Sequence, residues 1–334
     1  MKNYSSAIVG CGAISGVHAA AVSKAGARLA AVCDIKPERA ACLAEKTGAR
    51  AYASFEEMLE KEKIDVLHIC TPHFLHLPMA KTALERGIHT VLEKPPAMNE
   101  GEFLKLSRTE SASSASLCVC FQNRLNATTA HALSIVNSGE YGELLGARGI
   151  VTWCRRGGYY TDSSWRGRYE TEGGGVLINQ AIHTLDLLNY FLGKPTSVRS
   201  LCANMSHPET ETEDTVCAEI NYGDKNAVFY ATVSNCASPE AKITLFLKHA
   251  SIELGSHECI LRPEHGGAIV YDVSEKAPGK VCWGNSHSEL IGRFYQSLEG
   301  GDNPCPLESC RDTMRILTAV YSGGLKATER KDLI

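Results

Sequence analysis

The chain has 334 residues, 44% of them hydrophobic and 22% charged, with a formal net charge of -4. That size suits two domains with sizeable cores, and the charge gives no ground for nucleic acid or an anionic membrane as partner. No apolar run approaches the roughly 20 residues of a membrane span. The N-terminus lacks a signal peptide's continuous apolar core, so a cytoplasmic protein is expected. The 14 cysteines are scattered, with no C-x-x-C pair and no Cys/His group at zinc spacing. They read as free thiols in a reducing compartment, with no bound metal.

The first 120 or so residues alternate. Apolar runs SAIVG, RLAAVCD, DVLHICT, IHTVLEK and SLCVCF read as strands. Helical patterns at Ile14–Ala25, Pro37–Thr47, Phe55–Glu60, Leu75–Arg86 and Glu100–Glu110 separate them. This is the signature of βαβ units in a doubly wound parallel sheet, its strands apolar throughout because helices cover both faces. The pattern changes after Phe121. A helix is expected over Ala127–Ser138, then an irregular stretch over Arg155–Glu172. Strand-like runs follow at Val198–Ala203, Val216–Tyr222, Ala227–Ser234, Lys242–Leu247, Ser251–Leu254, Cys259–Arg262 and Ala268–Val273. Strands without intervening helices indicate a largely antiparallel sheet in a second, α+β domain. Two closing helices are expected at Ser288–Gly300 and Glu308–Thr328. The domain boundary is placed at 121/122.

Directly after the first strand comes Gly10-Cys11-Gly12-Ala13-Ile14-Ser15, opening a helix. In that context it is a dinucleotide fingerprint with Ser15 in the third position. Gly10 allows the tight turn, Gly12 lets the backbone approach a pyrophosphate, and the helix N-terminus supplies unpaired N–H groups. Asp34 ends the second strand, where a carboxylate accepts the adenosine ribose hydroxyls and repels a 2′-phosphate. NAD is therefore expected rather than NADP, with Arg39 near the same pocket. A surface Asp beginning the turn DIKPER is the competing reading.

GGGVLINQAIHTLDLL, from Gly173 to Leu188, reads as a buried helix carrying one polar stripe: Asn179, His183 and Asp186 at i, i+4, i+7. A polar stripe on a buried helix is either a satisfied structural network or the wall of a site.

Two further motifs, CTPHFLH (Cys70–His76) and EKPPA (Glu93–Ala97), end strands, where open α/β sheets bind ligands. With GCGAIS, SWRGR and the GGG helix, they resemble, in order and over nearly the whole chain, the Gfo/Idh/MocA oxidoreductases. The resemblance implies an N-terminal Rossmann domain over 1–121. It also implies a C-terminal domain over 122–334 whose sheet builds a homodimer or homotetramer. The implied chemistry is NAD(P)-dependent oxidation of sugars, cyclitols or nucleotide sugars.

Lys94 matches the family's active-site lysine, and His183 the histidine of its D-x-x-x-H helix motif. Thr71, Pro72 and His76 match the T-P-N-x-x-H segment near the nicotinamide, with His73 in place of Asn. Glu93, Lys94 and Asn123 complete the expected cofactor shell. Asn179 stands where many of these dehydrogenases carry Asp, and an amide cannot shuttle a proton. NQAIH after a WRG segment resembles branches acting on nucleotide sugars.

On this reading His183 is the base, its ordinary pKa of about 6.5 lying near working pH. Lys94 stabilises the developing alkoxide, and a cis Lys94–Pro95 bond is expected to fix its exit direction. Asp186 either orients His183 or anchors the helix. Arg124, Arg155, Arg156, Arg166 and Arg168, with Tyr159, Tyr160 and Trp165, suit an anionic sugar-like substrate: guanidinium for the anion, aromatic surface for the ring. A merely solvated basic loop is the alternative. Two other functions fit the same motifs: a glycosidase or epimerase that oxidises transiently and returns the hydride to its substrate, and a non-catalytic NAD or sugar sensor.

Overall fold

The computed structural model describes residues 3–272, 286–323 and 325–326. By contacts the chain forms two units: the residues up to Gln122 together with Ser286–Arg311, and Asn123–Asp272 together with the chain from Asp312 onward.

The first unit alternates as expected: β1 (Ser5–Val9), α1 (Ser15–Lys24), β2 (Arg28–Cys33), α2 (Pro37–Thr47), β3 (Arg50–Tyr52), α3 (Phe55–Lys61), β4 (Val66–Ile69), α4 (His76–Glu85), β5 (His89–Leu92), α5 (Glu100–Ala112) and β6 (Leu117–Val119). The strands form one parallel sheet in the order β3-β2-β1-β4-β5-β6. The order reverses between β1 and β4, and that crevice is where such sheets hold ligands. Ile8 and Val32 from the sheet pack with Ala19, Ala40 and Leu43 from the covering helices. The sequence indicates five strands and the structure has six. β3 is a three-residue edge, partly exposed, with no apolar run to announce it.

The second unit contains α6 (Ala127–Ser138), β7 (Leu144–Thr152), the short α7 (Gly158–Thr161) and α8 (Tyr169–Glu172), a π-helical turn (Leu177–Ala181) running into α9 (Ile182–Leu192), and then β8 (Ser197–Ala203), β9 (Thr215–Asn221), β10 (Asn226–Thr232), β11 (Lys242–Leu247), β12 (Ala250–Leu254), β13 (Glu258–Pro263) and β14 (Ile269–Asp272). Next comes α10 (Ser286–Ser297), which returns to the first unit. α11 (Arg311–Gly323) and β15 (Leu325–Lys326) follow, back in the second unit. The nine-stranded sheet runs β14-β13-β12-β11-β7-β10-β9-β8-β15. It is antiparallel except where β7 meets β10 and β8 meets β15. The sequence reading passed over β7. The expected strand end at Val273 lies outside the described residues, and the closing helix expected to Thr328 ends instead at Gly323, because Leu325–Lys326 pairs as a strand with β8.

The domain boundary needs one correction. Residues 286–311 fold with the first unit, although the sequence reading assigns everything beyond 121 to the second. The cause is packing. α10 buries Leu290, Ile291, Phe294 and Tyr295, and it lies along α1, where the rings of His18 and His287 meet. Beyond it, Asn303 donates to the Leu117 carbonyl and Cys305 accepts from Val119 N–H, so this segment covers the otherwise open edge of β6. No helix among the described residues is long and apolar enough to cross a membrane, and every described cysteine is free.

Candidate active site

In the first unit the site grows from the loop after β1. Gly10 has φ +88°, and a Cβ there would lie 2.5 Å from the Cys70 carbonyl oxygen. Only glycine lets this loop cross the end of β4. At Gly12 an added Cβ would meet nothing within 4 Å, so the backbone faces open space. Ser15 Oγ donates to the Gly12 carbonyl (2.7 Å), which gives the third fingerprint position a hydrogen bond in place of a glycine. No side chain caps the start of α1 after Ala13 and Ile14, and its first turn carries no acid. These N–H groups suit a pyrophosphate. Asp34 accepts from Cys11 N–H and Lys36 N–H, both at 2.8 Å. One bond per oxygen leaves acceptor capacity for ribose hydroxyls. Arg39 acts electrostatically on Cys11, whose thiol is pushed up to about 12, chiefly by burial and next by Asp34. The loop cysteine is therefore inert.

At the end of β4, Thr71 Oγ1 is buried without a hydrogen-bond partner among the described residues, as is Gln122 Oε1 just beyond β6. Orphaned polar atoms at strand ends are what a bound nicotinamide ribose or carboxamide would satisfy. Gln122 escaped the sequence reading, which chose its neighbour Asn123; Asn123 Oδ1, in the second unit, is orphaned too. After Pro72, His73 is buried with its ring 5.8 Å from that of His76. His76 bridges two carbonyls, Pro95 O at 2.7 Å from Nδ1 and Thr71 O at 2.9 Å from Nε2, and so ties the two motif loops together. The Lys94–Pro95 bond is cis. Glu93, expected near the cofactor, instead turns its carboxylate into a buried cluster with His18 and His287.

In the second unit the three glycines have separate reasons. Gly173 ends α8 with φ +85°. A Cβ on Gly174 would lie 2.1 Å from the Tyr321 hydroxyl, and one on Gly175 would lie 1.9 Å from the Glu213 carbonyl oxygen. The buried Glu213 carboxylate accepts from Gly175 N–H (2.8 Å), Leu177 N–H (3.0 Å) and the Tyr321 hydroxyl (3.0 Å). It thereby caps the helix start, while burial pushes its pKa up to about 7. The expected regular helix opens instead with the π-helical turn that carries Asn179, with His183 just beyond it in α9. A π turn changes the angular offset between these residues, so the even i, i+4 spacing does not hold. Asn179 Nδ2 donates to the buried Glu172 and to the Tyr159 hydroxyl, which also accepts from Gln180.

Asp186 is an anchor. Its two oxygens take both prongs of Arg124 at 2.7 Å, and Thr313 adds a third bond at 2.9 Å. Arg124, expected on substrate, therefore spends its bidentate fork on Asp186 inside the unit. Tyr160 is likewise displaced from the expected set: it is buried, with its ring 5.1 Å from that of His207. Tyr159, expected beside it, is only partly buried. The Arg166 guanidinium lies 4.2 Å and that of Arg155 5.0 Å from the Tyr159 ring centroid, and Arg166 also faces Trp165 at 5.1 Å. The Nε atoms of both arginines are buried without hydrogen-bond partners among the described residues. His207 Nδ1 donates to the Asp214 carboxylate at 3.0 Å and its Nε2 lies 2.7 Å from the Arg155 carbonyl oxygen, which braces the loop from behind.

Two family models match in order: the Gfo/Idh/MocA oxidoreductase family with its NAD-binding Rossmann fold over residues 4–121, and the Gfo/Idh/MocA C-terminal domain over 129–253. D-glucoside 3-dehydrogenase of Escherichia coli (strain K12) is 33% identical over 59% of this chain and 56% of its own length. Inositol 2-dehydrogenase of Corynebacterium glutamicum (strain R) is 26% identical over 63% of this chain and 59% of its own length. The matches thus span less than two thirds of these curated relatives. The WlbA dehydrogenase from Bordetella pertussis, solved in complex with NADH and UDP-GlcNAcA, superposes with a TM-score of 0.84 at 27% identity, covering 96% of each chain. By its two matched domains and the parallel and antiparallel sheets that realise them, this chain belongs to the Gfo/Idh/MocA oxidoreductase family.

Proposed function

We propose that the protein oxidises a secondary hydroxyl of an anionic sugar, a uronate or a nucleotide sugar, with NAD as cofactor. Bound NAD+ supplies the hydride acceptor. The Gly10–Ser15 loop and Asp34 hold its pyrophosphate and adenosine ribose. His183 takes the hydroxyl proton as general base, and the Lys94 ammonium stabilises the charge developing on the reacting oxygen. Asn179, locked by Glu172 and Tyr159, orients the sugar and carries no proton. The observation that carries the substrate class is the pair of guanidiniums, Arg155 and Arg166, over one tyrosine ring, their buried Nε atoms unpaired among the described residues. Two such cations on one half-buried surface call for an anion. The nucleotide-sugar acid in the WlbA complex supports this class. We also propose that the protein self-associates through its large sheet and works in the cytoplasm.

A panel of neutral glycosides, uronates and UDP-sugars, followed at the NADH absorbance band with product mass in parallel, tests the proposal. Anionic substrates are expected to be preferred by at least about tenfold in kcat/KM, the worth of one charge-assisted hydrogen bond. Arg166→Leu should erase that preference. Equal turnover of neutral and anionic sugars would overturn the substrate class. A new product mass without NADH would replace dehydrogenation with the hydride-returning reaction.

A further inference from the structure

Beneath the strand end that carries Lys94 lies a chain of buried polar groups that no motif announces. Glu93 Oε1 sits 3.0 Å from His18 Nε2 and 3.4 Å from His287 Nε2. His18 Nδ1 is 3.0 Å from His68 Nδ1, His68 Nε2 is 2.9 Å from the Tyr295 hydroxyl, and that hydroxyl is 2.6 Å from Ser6 Oγ. The chain links α1, β4, β5, β1 and α10, and all its members are buried. The other carboxylate oxygen, Glu93 Oε2, accepts the backbone N–H of Lys94 at 3.3 Å.

Three ligand atoms, from His18, Glu93 and His287, lie within 4.8 Å of one another, a spacing that suits a divalent ion. The hydrogen-bond inventory closes better without one. An ionised Glu93 accepts from both imidazoles and from Lys94 N–H. With neutral rings, His18 then accepts from His68, His68 from Tyr295, and Tyr295 from Ser6, so that every proton points toward the carboxylate. An ion would strip the Nε2 protons from His18 and His287. It would also force a proton onto His287 Nδ1, a buried atom with no partner among the described residues.

We infer that Glu93 is a positioning residue: its carboxylate, clamped by His18 and His287, fixes the end of β5 so that Lys94 is presented in one direction. This rests on the reading of Lys94 given above. A group held by several charge-assisted bonds has little freedom, and misplacing a reacting partner by about 1 Å costs on the order of a hundredfold in rate.

The test is a double-variant cycle with an independent spectroscopic arm. Glu93→Gln should lower kcat by about tenfold to a hundredfold, with the affinity for NAD unchanged. In the Lys94→Ala background, Glu93→Gln should cause no further loss, because the effect runs through Lys94. A further loss equal to that in the native background, or a fall in NAD affinity instead of kcat, would overturn the inference. Full activity of Lys94→Ala would sink the functional reading itself, a separate result. In the native holoenzyme, nitrogen-15 NMR should show His18 protonated at Nε2 with a strongly downfield proton, displaced upfield in Glu93→Gln. A stoichiometric metal ion in the purified protein, with that proton missing until the ion is chelated, would also overturn it.

Discussion

Glu213 and Asp214 are sequence neighbours, both buried, at the entry to β9, and they ionise in opposite senses. Glu213 is raised to about 7, because burial outweighs the bonds from Leu177, Gly175 and Tyr321. Asp214 is burdened by burial too, but Ser234, Met205, Ser206 and His207 outweigh it and hold the carboxyl at about 2. Their linkage signs differ. The raised Glu213 gives stability that is fully present below pH 4.5 and lost as pH climbs through 7. The depressed Asp214 gives stability that is present above pH 3.8 and lost as pH falls toward 2. The upper bounds are about 3–4 kcal/mol for Glu213 and about 2–3 kcal/mol for Asp214. Denaturant titrations across pH 2–8 should therefore show Asp214→Asn losing the acid limb and Glu213→Gln flattening the fall between pH 4.5 and 7. Absolute stability of Glu213→Gln will also drop, since its amide turns a donor toward a backbone N–H. An unchanged slope between pH 4.5 and 7 in Glu213→Gln would refute the assignment. None of this was legible from sequence, because an acidic pair in a turn looks solvated until a distant hydroxyl and two backbone amides close over it. Gly10, Gly12 and Asp34 were legible because strand, loop and helix around them are consecutive, so local order fixes their geometry. Arg124 misled for the converse reason: it looked chemically active alone, while its partner is Asp186, for which the anchoring reading had stayed open.

At the scale of elements, the strongly periodic segments emerged from sequence with small boundary shifts. Three strands were missed: the two-residue β15, inside the helix expected over Glu308–Thr328, and β3 and β7, which have physical reasons. β3 is too short to carry a pattern. β7 reads LLGARGIVT, in which two glycines and an arginine interrupt the apolar alternation, yet pairing on both sides makes it central. The GGG segment was legible as a buried helix with a polar stripe, but its π-helical opening was hidden, since nothing local distinguishes one extra residue per turn. That turn depends on contacts from afar: Glu213 holds its first amides, and Tyr321 accepts from Ile178 N–H. Gly175→Ala places a methyl carbon against the Glu213 carbonyl, a contact only a backbone shift can relieve. The expected cost is about 1–3 kcal/mol or more, with kcat falling further than stability because Asn179 and His183 ride on the displaced turn. Gly173→Ala, by contrast, strains one left-handed residue at the end of α8 and should leave kcat nearly native in the folded fraction. Thermal melts with initial rates would decide; equal losses of kcat in the two variants would refute the dependence on Glu213.

The two-domain plan was legible in the whole chain because a switch from alternating helices and strands to consecutive strands is global. The return of 286–311 to the first unit was not, since α10 and α11 both carry buried apolar stripes and nothing local tells which of them packs along α1. The large sheet also leaves a question of solubility. α9 packs on β7 from one side. On the opposite face, Val228 (54% exposed), Tyr230 (36%) and Phe246 (40%) stand outward on β10 and β11, beside Arg148 and Ile150 of β7 in register. Apolar side chains lined up across three strands of a sheet are normally covered. A mixed apolar and charged character suits an isologous pairing of two such faces, each supplying what the other lacks. The native protein should therefore run on multi-angle light scattering at twice or four times its 36.1 kDa chain mass. The double variant Val228→Asp, Tyr230→Asp puts like charges at the centre of both faces. It should weaken association by at least about thirtyfold, as loss of a hot spot of about 2 kcal/mol does, while circular dichroism stays native. A monomeric native protein, or an oligomer indifferent to both carboxylates, would show that this face is covered by nothing of its own kind.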